Sequence, residues 1–269
     1  MFSTFAWKDT SYEVTLSDTH FDGRFDDRDR IWISPLNSGK STRHRDQYGS
    51  LINVAGEYFE RTTSPDGRRM VLERLQSPTG ILHFDPVPSG LGMRFEDRFI
   101  RIDLEERVEL PAGEYTLSHC AYSAPDGEGG MWSLWHQAGL QRHLLIEEGK
   151  QTDFPYGPPF TVSFQPPIER GSVFLSLQIV GRSGERYTWR HFGPDKRVTD
   201  QPHIGLFANG QRVRMLTSYY CEVGRDLSWY DGVDESGSYT AEFMPRLPWE
   251  AEYIPLNFTV PLKGDEPHE

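Results

Sequence analysis

Six aromatic side chains are the residues of this sequence best suited by type to recognise something outside it: Trp132, Trp135, Tyr187, Trp189, Trp229 and Tyr230. A flat indole or phenol face stacks on the C–H face of a sugar, while nearby Asp, Asn, Arg or His side chains bond its hydroxyls. His136, next to Trp135, joins that set. The plainer reading is that half or more of these rings anchor a core or an interface. A second group is acidic: Asp18, Asp22, Asp26, Asp27 and Asp29 fall within twelve residues. Closely spaced carboxylates supply the oxygen ligands that calcium takes, which makes Asp22, Asp26, Asp27 and Asp29 the candidate set for a structural calcium. The order is not that of an EF-hand. Arg24, Arg28 and Arg30 interleave with the acids, so an ion-paired, solvated loop competes with the metal reading, and the acidic loop Asp231 to Glu235 carries the same ambivalence.

Catalytic patterns are absent by comparison. Ser34 to Thr42, with Gly39-Lys40-Ser41 after the apolar Ile31-Trp32-Ile33, invites a phosphate-loop reading. It lacks the first glycine, and Arg43 to Gly49 has no apolar helical stripe to follow it. The nine histidines form no H-x-H and no H-E-x-x-H, and there is no G-x-S-x-G. A glycosidase needs two carboxylates about 5 to 10 Å apart, and forty acidic residues nominate no particular pair. Cys120 and Cys221 are too few for a disulfide framework and too distant for a zinc knuckle, so they read as buried thiols on neighbouring strands.

Composition narrows the partners. The 269 residues carry 40 acidic and 28 basic side chains, a net charge of -12, the opposite of the basic surface that nucleic acid requires; no nucleic-acid partner is expected. Mean hydropathy is -0.60 and no apolar run approaches the roughly 18 to 20 residues of a membrane span, so a soluble chain without a membrane partner is expected. The first ten residues show neither a basic start nor an apolar stretch, and synthesis in the cytoplasm without a secretory signal is the expectation.

The elements that must hold these groups read as strands. Twenty-five glycines and 19 prolines are spread along the chain, and aromatics reach 13%, a profile of short strands and tight turns. Ile100, Ile102 and Leu104 alternate with Arg101, Asp103 and Glu105; Tyr115, Leu117 and Ala121 alternate with Thr116, Ser118 and Cys120 after a turn at Pro111-Ala112-Gly113. Phe160, Val162 and Phe164, then Val173, Leu175, Leu177 and Ile179, repeat the period of two. Met131 to Glu148 fits two strands about Ala138-Gly139 better than a helix broken by glycine. Asn209-Gly210 predicts a type I′ hairpin leading into a strand over 212–223. Tyr12 to Leu16, Arg30 to Ser34, Leu51 to Phe59, Arg69 to Leu75 and Ile81 to Phe84 are further strand candidates.

The stretch Arg107 to Ser118, with Phe160 to Pro167 and Gly171 to Gln178 after it and Val213 to Val223 as a closing strand, resembles the jelly-roll carbohydrate-binding modules found in phage tail and virion proteins, over about residues 98–223. The resemblance implies an all-β fold with a jelly-roll β-sandwich and carries no ligand residue onto a numbered position. The expected organisation is an N-terminal β segment or small β domain at 1–89, the sandwich at 90–225 and an extended, proline-rich tail at 226–269. Three functional readings follow. The first is a non-catalytic component that binds surface glycan or other virion proteins, virion-associated and with room for a homo-oligomer. The second is a polysaccharide lyase or glycoside hydrolase. The third is a purely architectural coat or adaptor protein.

Overall fold

The computed structural model describes residues 2–26, 29–36, 46–47, 50–96, 98–127, 129–137, 143–165, 168–169, 172–173, 176–193, 203–217, 238–243 and 247–259. Among them every regular element is a strand, so the chain is all-β. It divides into two compact units, Met1–His119 with Ala138–Phe154, and Cys120–Gln137 with Pro155–Glu269. Residue 89, the expected end of the N-terminal segment, lies inside the first unit.

In the first unit, Phe2–Trp7, Thr10–Ser17, Arg30–Pro35 and Asp46–Gln47 form an antiparallel sheet in chain order. Leu51–Val54, Glu57–Thr63 and Met70–Arg74 form another. Period-two alternation puts Tyr12, Val14 and Leu16 on one face of their strand, where they meet Ile31, Ile52, Val54 and Phe59 in a shared core. The expected single strand from Leu51 to Phe59 is two, because Ala55 and Gly56 both take positive φ (51° and 82°) and turn the chain back on itself. A third sheet orders Arg107–Pro111, Thr79–His83 and Gln151–Asp153, the last pair parallel.

The alternation at 100–105 is not a strand. Arg98–Ile100 ends at Ile100, and Arg107–Pro111 begins a separate sheet. Between them Ile102 is buried, while the Arg101 guanidinium bonds the Asp103 carboxylate two residues on, at 3.1 Å. An alternating sequence thus packs one apolar side chain without a ladder partner. Gly113–Pro125 buries odd positions first, Tyr115 and Leu117, and then three in a row, Cys120, Ala121 and Tyr122. The change falls where the chain passes from one unit to the other, at His119 and Cys120.

The second unit is built on consecutive antiparallel neighbours. Met131–Gln137 pairs with Arg186–Phe192, which pairs with Ser176–Val180, which pairs with Phe160–Gln165. Val162 lies opposite Ile179 and Phe164 opposite Leu177, as the alternation predicts, and all four are buried. Ala251–Tyr253 extends this run in parallel with Phe160–Val162. A four-stranded sheet orders Gln211–Thr217, His203–Ala208, Ser238–Phe243 and Leu256–Thr259. Asn209 and Gly210, both at positive φ (51° and 74°), make the expected two-residue hairpin between Ala208 and Gln211. The expected extended tail is corrected here. Its described residues include three strands, and Trp249 packs its ring against Tyr122 and Phe160.

Candidate functional site

The pair formed by Met131–Gln137 and Arg186–Phe192 holds every described member of the aromatic set. Its register sets Trp132 opposite His191, Ser133 opposite Arg190, Leu134 opposite Trp189 and Trp135 opposite Thr188. Because successive side chains of a strand point to opposite faces, this register sorts them into two groups. Trp132, Leu134, His136, Tyr187 and Trp189 are buried, with His191 partly so. Met131, Ser133, Trp135 and Gln137 share the other face with Arg186, Thr188 and Arg190.

The inward face is closely engaged with itself. Trp132 lies 5.7 Å from Trp189 and 4.7 Å from His191, centroid to centroid. His191 Nε2 is 2.7 Å from Asp126 Oδ2, and the other oxygen of Asp126 accepts the Gly130 amide at 2.8 Å. His136 Nδ1 donates to the Arg186 carbonyl at 2.7 Å, a partner that can only accept, so this nitrogen carries the ring proton. Tyr187 gives its hydroxyl to Glu185 Oε1 at 2.9 Å. Glu185, 1% exposed, also accepts the amides of Gly157 and Ser183 at 2.7 and 2.9 Å and so fixes two turns with one carboxylate. The Cys120 thiol, 3.5 Å from the Tyr187 hydroxyl, is pushed up to about 12 by burial, which leaves it a thiol rather than a nucleophile at neutral pH.

The outward face is open. Trp135 is 44% exposed and Met131 42%, large fractions for an indole and a thioether on a regular strand. Arg186 and Arg190 are exposed, and Thr188, directly opposite Trp135, donates its hydroxyl to the Trp135 carbonyl at 3.0 Å. Ser133 faces Ser123 of the preceding strand, hydroxyl to hydroxyl at 3.4 Å. Trp135 is therefore flanked on its partner strand by Arg186 on one diagonal and Arg190 on the other.

Of the aromatic set, then, Trp132, His136, Tyr187 and Trp189 lie in the interior and Trp135 at the surface, while Trp229 and Tyr230 fall outside the described residues. Arg186 and Arg190 went unnoticed in the sequence. Their signal was parity: both are an even number of positions from Thr188, the residue opposite Trp135.

Of the four calcium candidates the structure describes Asp22, Asp26 and Asp29. Asp27 lies outside the described residues, and among the described residues no three His, Cys, Asp or Glu side chains gather. The carboxylates of Asp18, Asp22 and Asp29 accept backbone amides. Asp29 is buried; its Oδ1 accepts the Thr19 amide at 2.9 Å and its Oδ2 the Asp26 amide at 3.0 Å. Burial opposes its charge, yet these amides outweigh it and hold the carboxyl below its ordinary range. Asp22 accepts the Arg24 amide, and Asp18 those of His20 and Gly23. The phosphate-loop residues 37–42, the basic stretch 43–45, the acidic loop 231–235 and Cys221 also lie outside the described residues.

A second recess, in the first unit, was not foreseen. It is a cleft of about 690 Å³ lined by Lys8, Asn53, Glu57, Tyr58, Arg74, Ser77, Thr79, Asp103, Glu105, Arg107 and Glu109 among others. Its charges largely answer one another. Glu57 holds both Lys8 and, at 2.9 Å, Arg74, and the Lys8 contact above all keeps its carboxyl low. Thr79 bonds Glu109, and Asp103 bonds Arg101. Tyr58, the aromatic lining residue, is buried, which pushes its phenol up. No family model, curated protein or solved structure matches the chain.

Proposed function

We propose that this protein binds carbohydrate without turning it over, and that the outward face of strands Met131–Gln137 and Arg186–Phe192 makes the contact. The observation that carries the reading is Trp135: a large aromatic ring, 44% exposed on a regular strand, among hydroxyl and guanidinium groups. An indole held on a strand loses little freedom when a sugar stacks on it, so stacking and hydroxyl bonding are not offset by ordering the site. The jelly-roll reading is part of this proposal. It is supported by the antiparallel succession of 131–137, 186–192, 176–180 and 160–165, on which a carbohydrate-binding sheet face would sit. The parallel strand Ala251–Tyr253 is a departure from that pattern.

The test is a titration of the purified chain with a panel of oligosaccharides, followed by calorimetry and by indole fluorescence. Saturable binding that falls at least tenfold in Trp135→Ala, with the circular dichroism spectrum unchanged, is expected. Trp189→Phe, on the buried face of the same strands, should bind as the parent does. Equal affinity of Trp135→Ala and the parent overturns the assignment of the face.

A further inference from the structure

The outward face of unit two carries a charge pattern that its ring alone does not explain. Arg186 and Arg190 are both exposed, both on the same side of their strand as Thr188, and neither is paired with a carboxylate among the described residues. The neighbouring outward side chains, Met131, Ser133, Trp135, Gln137, Thr188 and Ser123, include no acid. Among the described residues, then, this is a cationic pair without a carboxylate partner, on a chain whose net charge is -12. Other described cations are ion-paired: Lys8 and Arg74 share Glu57, Arg98 bonds Glu60 and Glu96, Arg101 bonds Asp103, and Lys150 bonds Glu147.

We infer that the ligand of this face is an anionic glycan, whose carboxylate or sulfate groups are taken by Arg186 and Arg190 while a sugar ring between them stacks on Trp135. The inference rests on the carbohydrate reading above and names the ligand's class. Guanidinium groups present a planar fork that matches carboxylate and sulfate oxygens two at a time, which an ammonium does not. The two arginines lie four residues apart on one strand, about 13 Å along an extended chain, with Trp135 opposite the midpoint. Two charged groups spaced along an oligosaccharide match that separation. The face therefore selects an oligosaccharide with at least two charged groups on either side of a stacking ring. Single-stranded nucleic acid also joins stacking to arginine contacts, but it is held by a basic groove that tracks the backbone, and two arginines on an acidic chain do not make one.

The experiment is a binding comparison at 50 and 500 mM NaCl. Its probes are a hexagalacturonate, its fully methyl-esterified counterpart, a sulfated galactan hexamer, neutral cellohexaose, galacturonic acid and a dT12 oligonucleotide. Binding of a charged hexamer at least thirtyfold tighter than of the esterified and neutral hexamers is expected, lost at the higher salt and weak for the monosaccharide. The double variant Arg186→Gln/Arg190→Gln should remove that preference without changing the circular dichroism spectrum, and Arg186→Lys/Arg190→Lys should restore it only in part. The carboxylated and sulfated arms tell which anion is taken. Equal binding of charged and neutral hexamers overturns the inference while leaving the Trp135 face as a neutral-sugar site. Tighter binding of dT12 than of any hexamer, or no binding of any hexamer, overturns both readings.

Discussion

Trp132 and Trp135 stand three residues apart on one strand and lead different lives. Trp132 is 6% exposed and lies among Trp189 and His191; Trp135 is 44% exposed beside Arg186, Thr188 and Arg190. Nothing in the residue type separates them. What separates them is the pleat, because residues an odd number apart on a strand point to opposite faces. The inward side packs aromatic rings against one another and bonds His136 Nδ1, His191 and Tyr187 within the interior. The outward side presents Trp135, Met131, Arg186 and Arg190 to solvent.

The largest break in that comparison is expected from truncation. Trp132→Ala removes a buried indole and leaves a cavity, which costs about 3–5 kcal/mol. A chain divided into two compact units need not unfold in one step, so the loss is best read from hydrogen exchange at unit-two amides as urea is raised. A loss below about 1 kcal/mol would place Trp132 outside the core, since surface substitutions fall in that range.

Glu185→Gln should come next, at about 1–3 kcal/mol, because the amide group offers the Gly157 and Ser183 amides and the Tyr187 hydroxyl one acceptor oxygen in place of two. The companion variant Tyr187→Phe removes one of those donors, keeps the ring and should cost less. Coupling between the two substitutions, measured in a double-mutant cycle, would show that the hydroxyl and the carboxylate act together. Additive losses would dissolve the network into separate contacts.

Much of this architecture was legible beforehand. The alternation at 160–164 and 177–179, the hairpin at Asn209-Gly210 and the strands at 10–17 and 30–35 follow from period two and turn chemistry, which are local. Pairing is not local. Nothing in the sequence says that Arg107–Pro111 ladders onto Thr79–His83, or that Ala251–Tyr253 lies parallel to Phe160–Val162, so the division into units was missed. The site was half legible. Once 131–137 is read as a strand, Trp132 and Trp135 cannot both face solvent, yet which of them does depends on the partner strands. Spacing alone does not sort the acidic cluster, because carboxylates that accept backbone amides and carboxylates that bind calcium share it.

The Cys120 thiol sharpens the inward half of the comparison at little cost in stability. Burial raises it to about 12, so the fold favours the protonated form. Its contribution is whole below the ordinary thiol value of about 8.5, and is lost as pH rises through the folded value. In a Cys221→Ser background, Cys120 should react with a disulfide reagent at pH 8 at the rate of unfolding, not at the rate of a free thiol. Fast reaction in native buffer would mean that the interior of unit two opens readily.

The smallest expected effect is on the stability of Trp135→Ala, and it decides most. An exposed indole on an otherwise intact strand makes few contacts that water cannot replace, so its removal should change stability by no more than about 0.5 kcal/mol. Strands favour aromatic side chains over alanine, which sets the sign as a slight loss. If urea unfolding instead showed a loss comparable to that of Trp132→Ala, Trp135 would be holding the sheet together rather than waiting at its surface. The two faces would then do the same work, and a weaker glycan affinity in Trp135→Ala would report a damaged fold rather than a missing contact. A near-zero change makes any loss of binding a statement about the ring itself.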